Sequence, residues 1–451
     1  MSSNYFTTFN FTNAKELNLL IHTSDKNEFT EPILRDLLHT ENVNFVLSGI
    51  NRLQSMLICE LGLSYVQQSQ RYVSMSSPSF TVSSKTPVEV AHTFQTLVDE
   101  SIDLYNEMTE LTDPNKKGRL TNKDFKYGIS YEDARYILPV NITTNLTVTC
   151  TGDKLIDIFK LFNKYQLVFN DLKNELMGKI PSELLYVIDS VSHDFVEKDK
   201  SIADKYYRHL IKGLNNENII KCLDIDDMTK QIAIGALASQ NKKSPDIVYS
   251  EWDKDIVEEK ESKLIKNVVG YGHTAILEQG RSRFAMQCSV SAYHQVIRHR
   301  LQSIRRMPVD DILTYGFHEY MLPKSIQNND KFFKKAIDLI ARYVEIYQYF
   351  AKKYDHQFLM QYILNCAPMR FIVSSNIRND NWIFRERLCY TAQEEIRNLY
   401  RSKYEMLEDA GYHVLVKYGL PPCVAFNQCK EGKMNCGRIV EARKEYEKYN
   451  Y

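Results

Sequence analysis

Residues 291–308 read SAYHQVIRHRLQSIRRMP and combine two histidines with four arginines, with no acidic residue among them. Ser291, Gln295 and Arg298 recur at the spacing of an α-helix, so the pattern predicts a helix with these polar side chains along one stripe. Arginine presents a planar fork of N–H donors that fits two phosphate oxygens, and it also stacks on aromatic rings. The stretch therefore predicts an anionic ligand that carries a phosphate and a ring.

The charge balance of the whole chain limits the partners that this stretch can serve. Lysine plus arginine and aspartate plus glutamate both number 57, so no net charge draws the protein to nucleic acid or to an anionic membrane. A solvated charged helix face and an RNA-binding stripe stay open as alternatives, although the arginines lack the interleaved aromatic residues that stack on bases. The N-terminus lacks signal-peptide character and no apolar run approaches the roughly 20 residues of a membrane span, so we expect a cytoplasmic protein.

The cysteines predict neither a disulfide framework nor a metal site. Their number, nine, is odd, and they are scattered along the chain, which is typical of reduced intracellular thiols. Cys423, Cys429 and Cys436 are close in sequence but include no CxxC pair, which makes them a weak signal for zinc. We expect no metal, and the role of these three thiols stays open.

Four further stretches accompany the arginine-rich one. They are SYVQQSQRY (64–72), YEDARYILPV (131–140), YGHTAILEQGRSRFAMQCSV (271–290) and FIVSSNIRNDNWIFRERLCYTAQEEIR (371–397). Together with RHR (298–300), their order and spacing resemble the flavin-dependent thymidylate synthases, the ThyX family. The resemblance implies an α+β fold in which a twisted, mostly antiparallel sheet packs with long helices.

The family pattern occurs twice, and each copy lacks a different part. Placing Ser64 over Ser303 puts Asn44-Phe45 over Arg283-Phe284, and it puts Cys59-Glu60-Leu61 where the second half has Arg298-His299-Arg300. Later in the first copy, Thr151-Gly152-Asp153 replaces the family's N-x-R pair, which the second copy keeps as Asn376 and Arg378. Conversely, Met360 stands where the first copy has Arg135. An internal duplication with complementary losses explains both patterns.

The duplication predicts the domain organisation. We expect a ThyX-like unit over residues 1–215 that keeps nucleotide-side residues, a second over 216–425 that keeps flavin-side residues, and a charged surface tail over 426–451. Residues 43–51 are expected to form a strand, and residues 155–180 and 331–354 have the apolar spacing of long helices. Residues 218–240 are expected to open the second unit with a strand and a helix. Because family members are homotetramers with sites between subunits, the fused chain is expected to form a homodimer that is a pseudo-tetramer.

The resemblance also implies a reaction and its residues. Methylating a uracil ring needs a hydride that no side chain can give, so a cofactor must supply it. Family members use FAD, with NADPH and methylenetetrahydrofolate as co-substrates, to convert dUMP to dTMP. The residues that match the family's cofactor site are His273, Glu278, Arg298, His299, Arg300, Asn376 and Arg378, with Arg298 and His299 as the catalytic pair. Those that match its nucleotide site are Ser69, Arg71, Arg135, Gln295 and Arg387.

Several alternatives stay open at this point. His273 also fits a hydrogen-bonded turn residue, Arg135 an ordinary ion pair, and Gln67, Gln68 and Ser69 a polar strand edge. The enzyme could modify another pyrimidine nucleotide or deliver a hydroxymethyl group, and the chain could be a non-catalytic flavin- or nucleotide-binding paralogue. The sequence does not distinguish these outcomes, nor does it give the number of working sites per dimer or the effect of Arg305, Arg306 and Pro308.

Overall fold

The computed structural model describes residues 4–69, 71, 79–116, 120–193, 198–315, 319–432 and 435–446. Tyr72, the last residue of the SYVQQSQRY match, lies outside them. The chain divides into two compact units: unit 1 comprises Met1–Ala203 and Pro308–Ala367, and unit 2 comprises Asp204–Met307 and Pro368–Tyr451. The boundary near residue 216 concerns where the two repeats meet in the sequence, and it stays a prediction.

Each unit contains one four-stranded antiparallel sheet. The strands are β1 (Phe6–Phe11), β2 (Asn42–Asn51), β3 (Ser64–Gln67), β4 (Thr143–Thr151), β5 (Ile220–Ile225), β6 (Arg281–Ser289), β7 (Ser303–Arg306) and β8 (Pro368–Asn376). The strand order is β1-β2-β4-β3 in unit 1 and β5-β6-β8-β7 in unit 2. The predicted α+β class and the two similar units are therefore confirmed.

Helices make up most of the rest. In the first part of the chain they are α1 (Ala14–Thr23), α2 (Glu31–Leu38), α3 (Arg52–Cys59), α4 (Val88–Met108), α5 (Tyr131–Ala134), α6 (Lys154–Lys164), α7 (Gln166–Met177), α8 (Ser182–Ser192) and α9 (Lys198–Ile211). Next come α10 (Met228–Ala238), α11 (Pro245–Ser250), α12 (Val257–Gly270), α13 (Val290–Val296), α14 (Val309–Tyr315), α15 (Lys324–Gln327), α16 (Asp330–Phe350) and α17 (His356–Met360). The last are α18 (Ile377–Arg387), α19 (Glu394–Leu407), α20 (His413–Val416), α21 (Pro422–Ala425) and α22 (Ile439–Glu445).

The two sheets share one pairing register. On β4, Thr149 pairs with Ser64 on one side and Asn44 on the other. On β8, Ser374 pairs with Ser303 and Arg283. These are the residues that the sequence comparison placed over one another. A slip of one residue would turn every side chain to the opposite face, so the shared register means that both copies present matching positions to their cores.

The helices between the third and fourth strands of the two copies pack against each other within unit 1. These are α4 and α16, and their contact is largely aromatic. Phe94 of α4 stacks on Tyr362 with ring centroids 4.2 Å apart, and it lies 5.1 Å from the ring of Tyr347 on α16. At the rim, the Arg342 guanidinium pairs with Glu100. Residues 308–367 thus complete the apolar core of the first copy's sheet and helices.

A buried ion pair lies in the core of unit 2. Lys403 of α19 and Asp380 of α18 are 0% and 1% exposed, and the Lys403 ammonium lies 2.6 Å from the Asp380 carboxylate. The ammonium also donates to Ser375 Oγ at 3.0 Å and lies 5.2 Å from the centre of the Phe284 ring. Ser282 Oγ, on β6, donates to the same carboxylate at 3.4 Å. The pair thus ties both helices to strands β6 and β8.

Two predictions about local structure need correction, whereas the long helices expected over 155–180 are present as α6 and α7, which meet at Tyr165. The helix expected over 291–308 ends at Val296, and residues 303–306 form the edge strand β7 because they pair with β8. The tail expected at the surface includes α22, in which Ala442 is buried, followed by the buried Tyr446.

Other predictions of elements are confirmed. The strand expected at residues 43–51 is β2, the strand and helix expected in 218–240 are β5 and α10, and the helix expected over 331–354 is α16. Among the described residues, no helix is both long and apolar enough to cross a membrane.

Candidate functional site

The nucleotide-side residues of the first copy converge on Glu132, at the start of α5 in unit 1. The Arg71 side chain forms an ion pair with the Glu132 carboxylate, and Arg135 Nε donates to the Glu132 carbonyl oxygen at 3.2 Å. Ser69 Oγ accepts from the backbone N–H of Arg71 at 3.3 Å. Both guanidinium groups are largely buried, so the Arg71–Glu132 ion pair is shielded from solvent.

The neighbouring glutamines of the same motif bond within their own unit. Gln67 Nε2 donates to Ser55 Oγ at 2.5 Å, and the Gln68 side-chain oxygen accepts from Asn145 Nδ2 at 3.3 Å. This arrangement fits the alternative of a polar strand edge for these two residues. The structure therefore separates them from Ser69, Arg71 and Arg135, whose contacts gather at Glu132.

In unit 2, the RHR residues follow α13 in a turn that leads to β7. Arg298 and Arg300 are exposed, whereas His299 is buried. Gln302 closes this turn: its Nε2 donates to the carbonyl oxygen of Val296 and to the Tyr400 hydroxyl, both at 3.3 Å. The predicted common orientation of Gln295 and Arg298 is wrong, because Gln295 is buried on the helix and Arg298 lies beyond its end.

His299 and Arg387 are direct partners. Arg387 Nε donates to His299 Nε2 at 2.7 Å, and the Tyr400 ring lies edge-on to the imidazole with centroids 6.2 Å apart. Burial, and then the positive charges of Arg387 and Arg298, lower the pKa of His299 well below its ordinary value. The imidazole is therefore neutral near pH 7, with the Nε2 lone pair directed at Arg387.

The other flavin-side candidates lie around the start of α18. Asn376 caps this helix by accepting from the backbone N–H of Asn379 at 2.9 Å. Arg378 pairs with Glu278, and both side chains are 46% exposed. His273 is exposed, and its backbone N–H donates to the Val268 carbonyl oxygen at 3.2 Å, as a turn residue would. The structure thus brings Glu278 and Arg378 together.

The helix that leads to the RHR turn is held from both ends by residues of α19 and its N-cap. At the first end, the Glu395 carboxylate accepts from the backbone N–H of Ser289 at 2.5 Å and from Ser289 Oγ at 2.7 Å. At the other, Gln295 Nε2 donates to the side-chain oxygen of Gln393. Sequence reasoning assigned roles to neither Gln393 nor Glu395, although both lie in the AQEEIR stretch that supported the resemblance.

The corresponding corner of unit 1 is closed. Gly152 stands at the position of Ile377 in the second copy, and a Cβ there would lie 3.0 Å from the Leu38 carbonyl oxygen. Asp153 stands at the position of Arg378, is buried, and lies 3.8 Å from the Arg35 guanidinium. An acidic side chain and a tightly packed backbone thus replace the cationic corner, as complementary losses would require.

Three further residues escaped the sequence analysis. Glu132 precedes Arg135 by one helical turn, a signal that could have identified it as a partner. Tyr400 and Gln302 are brought together by the fold alone. Among the described residues, no group of three histidine, cysteine, aspartate or glutamate side chains is arranged to hold a metal ion.

The fold defines an α+β protein in which one structural unit occurs twice, with different motif residues kept in each copy. The family model described as thymidylate synthase complementing protein matches residues 40–167 and 224–410, so the chain belongs to this family as a tandem duplication of its unit.

Individual relatives match one copy's length of chain. A flavin-dependent thymidylate synthase of Pyrococcus furiosus is 28% identical over 215 residues, which cover 44% of this chain and 87% of the relative. One from Clostridium tetani is 28% identical over 214 residues, which cover 44% of this chain and 85% of the relative. A third, from Saccharolobus solfataricus, is 27% identical over 213 residues, covering 44% and 75%. A single-unit relative thus accounts for less than half of the duplicated chain.

Proposed function

We propose that this protein is an FAD-dependent thymidylate synthase that converts dUMP to dTMP with methylenetetrahydrofolate and NADPH. The observation that carries the proposal is the complementary retention of two residue sets on matching sheets. Unit 1 keeps Arg71 and Arg135 around Glu132, and unit 2 keeps the RHR turn with Arg378. The similarity to flavin-dependent thymidylate synthases supplies the chemistry, which neither residue set reveals alone.

The residues of unit 2 fit a flavin dinucleotide. Among the described residues, Ser291 Oγ is buried without a hydrogen-bond partner, so it is an acceptor that a flavin N–H could satisfy. Arg298, Arg300 and Arg378 are exposed cations that suit its diphosphate. His273, Glu278 and Asn376 complete the proposed cofactor set. A reduced flavin supplies the hydride that no side chain can donate.

The chain's own residues bind the reactants and stabilise charge. Ser69, Arg71 and Arg135 hold the nucleotide phosphate in place of the Glu132 carboxylate. Arg298 places positive charge near a uracil carbonyl oxygen, where negative charge develops as the ring carbon attacks. Gln295 and Arg387 line the nucleotide. Binding energy from the phosphate serves to orient the uracil ring for reaction.

The first test is to add FAD to the purified protein, record its absorbance spectrum, and incubate it with dUMP, methylenetetrahydrofolate and NADPH. Mass analysis of the nucleotide then gives the product. We expect a yellow protein that forms dTMP. A hydroxymethylated nucleotide would support the alternative reaction, and a yellow protein without product would support a non-catalytic paralogue. A colourless protein that takes up no FAD would contradict the proposal.

The second test asks whether both residue sets serve one reaction. Arg71→Ala and Arg298→Ala should each reduce turnover by about a hundred-fold or more, because each removes a charge-assisted contact to an anionic ligand. Arg305→Ala is the matched control, because Arg305 lies on β7 and pairs with Asp204 at 2.8 Å. Full activity in Arg71→Ala would contradict a role for the first copy.

The assembly is part of the same proposal. We propose a homodimer that acts in the cytoplasm on small molecules, because two duplicated chains restore the four units of the relatives. Sedimentation of the purified protein should give a dimer mass. Mixing the Arg71→Ala and Arg298→Ala chains then tests whether the two residue sets that serve one reaction come from the same chain or from different chains. Recovery of activity requires sets from different chains, and no recovery indicates that one chain supplies both.

A further inference from the structure

The histidine of the RHR turn differs from the arginines on either side of it. Arg298 and Arg300 are exposed, whereas His299 is only 8% exposed and its ring lies against Tyr400. The turn is closed behind it by Gln302, which bonds to both Val296 and Tyr400. The imidazole is thus fixed inside the unit.

The hydrogen bond between His299 and Arg387 determines which protonation state the imidazole ring can adopt. Nε2 accepts from Arg387 Nε at 2.7 Å, so the ring proton must be on Nδ1. A protonated ring would place an N–H against the N–H of Arg387 and a second positive charge beside it. The neutral ring is therefore the form that this contact requires.

The same contact restrains Arg387. Its Nε lies in the plane of the guanidinium, so a hydrogen bond made by Nε fixes both the plane and the direction of the fork. Arg387 is the last residue of α18 and is 9% exposed, so an incorrectly oriented fork would leave buried N–H groups without acceptors. Orientation is what bidentate recognition of a planar ligand depends on.

We propose that His299 is a positioning residue whose neutral Nε2 orients the Arg387 guanidinium toward the nucleotide. The inference rests on the proposed function for the identity of the nucleotide, but the pairing itself is a property of this chain. It gives His299 a role through Arg387 in place of direct contact with the reacting atoms. It also couples the RHR turn to a residue of the nucleotide set.

Variants at His299 separate an orienting role from a packing role. His299→Gln keeps an acceptor at about the position of Nε2, whereas His299→Leu fills similar space without one. We expect His299→Leu to weaken dUMP binding by about ten- to a hundred-fold, the usual effect of losing a residue that orients a ligand-binding group. His299→Gln should remain within about three-fold of the wild type, because it restores the acceptor. Calorimetric titration with dUMP measures both.

Arginine variants on the same helix provide the control. Arg387→Met should lose dUMP affinity, and adding His299→Leu to it should cause little further loss, since the two residues act as one unit. Arg385→Met is the matched control, because Arg385 Nε also donates to an internal acceptor, the Tyr418 carbonyl oxygen, at 2.7 Å. Its dUMP affinity should be unchanged. Equal affinities in His299→Leu and His299→Gln, or additive losses, would overturn the proposal.

A second measurement needs no ligand. In ¹⁵N-histidine-labelled protein, His299 is assigned by comparison with His299→Gln, and its ring shifts should show an unprotonated Nε2 that stays so at pH 6. Arg387→Met should change those shifts. A His299 that titrates at its ordinary pH, or that carries its proton on Nε2, would overturn the pairing. Protein that keeps the pairing but binds neither dUMP nor FAD would refute the proposed function, and with it the nucleotide part of this inference.

Discussion

The buried pair Lys403–Asp380 allows a quantitative prediction about unit 2. Lys403→Met leaves the Asp380 carboxylate in the core with the hydroxyls of Ser375 and Ser282 as its remaining partners. Asp380→Leu leaves the ammonium with one hydroxyl and the face of Phe284. Breaking a buried pair from one side costs about 3–5 kcal/mol of unfolding free energy, because the other charge stays buried. Each single variant should lose stability in this range.

The double variant gives the opposite result. With Lys403→Met and Asp380→Leu combined, no charge is left to desolvate, and apolar side chains occupy the same space. Such replacements are often neutral or stabilise by about 1–4 kcal/mol. The double variant should therefore be at least as stable as the wild type, and the coupling between the two sites should be about 6 kcal/mol or more.

Urea denaturation followed by tryptophan fluorescence is the assay. The chain has two tryptophans, Trp252 and Trp382, and both belong to unit 2, so the signal reports on the unit that contains the pair. The slope of the unfolding free energy against urea concentration should be the same in all four proteins. Their urea midpoints of unfolding can then be compared directly. Single variants within about 1 kcal/mol of the wild type would refute the reasoning, as would a double variant less stable than either single.

Three further predictions concern other parts of the chain. Phe94→Ala should lower the unfolding free energy by about 3–5 kcal/mol, because it removes the ring that α4 packs against α16. Thermal melting measures this loss. Gly152→Ala should cost about 1–3 kcal/mol in the same assay, because the new Cβ would lie 3.0 Å from the Leu38 carbonyl oxygen. The unfolding free energy should fall as the pH drops below 6.5, with His299 contributing at most about 1.4 kcal/mol per pH unit. Burial, Arg387 and Arg298 lower the pKa of His299 in the folded protein, so the unfolded chain binds the proton first as the pH falls. This pH dependence should be absent in His299→Gln, and its persistence there would assign it to another group.

The spacing of apolar residues in the sequence correctly predicted several strands and helices. The strand β2, the opening β5 and α10 of the second copy, and the long helix α16 all follow from apolar spacing, which packing against a sheet preserves. The duplication was also visible, because motif residues recur in one register. The segment 303–306 was included in the helix that the spacing of Ser291, Gln295 and Arg298 predicted. Pairing with β8, more than sixty residues later, makes it a strand instead.

The site was predictable as a set of residues but not as a set of contacts. The arginines, Asn376 and Gln295 were identified from motifs. Their partners were not, since His299 and Arg387 are 88 residues apart and Arg71 and Glu132 are 61 apart. Such pairings depend on how helices follow the sheet, which periodicity does not encode. Burial of His299 was hidden for the same reason, because the sequence shows three consecutive polar residues and not which one turns inward.

The packing of α4 against α16 also affects how the protein is made. At about 5–20 residues per second, a ribosome needs roughly 10 to 50 seconds to extend the chain from Met108, where α4 ends, to Phe350, where α16 ends. During that interval the aromatic face of α4 has no partner helix. The first copy cannot complete its core as it emerges, even after Thr151, the last residue of its sheet, has been synthesised. Nascent chains should therefore bind chaperones through the Phe94 face until the second copy has largely left the ribosome.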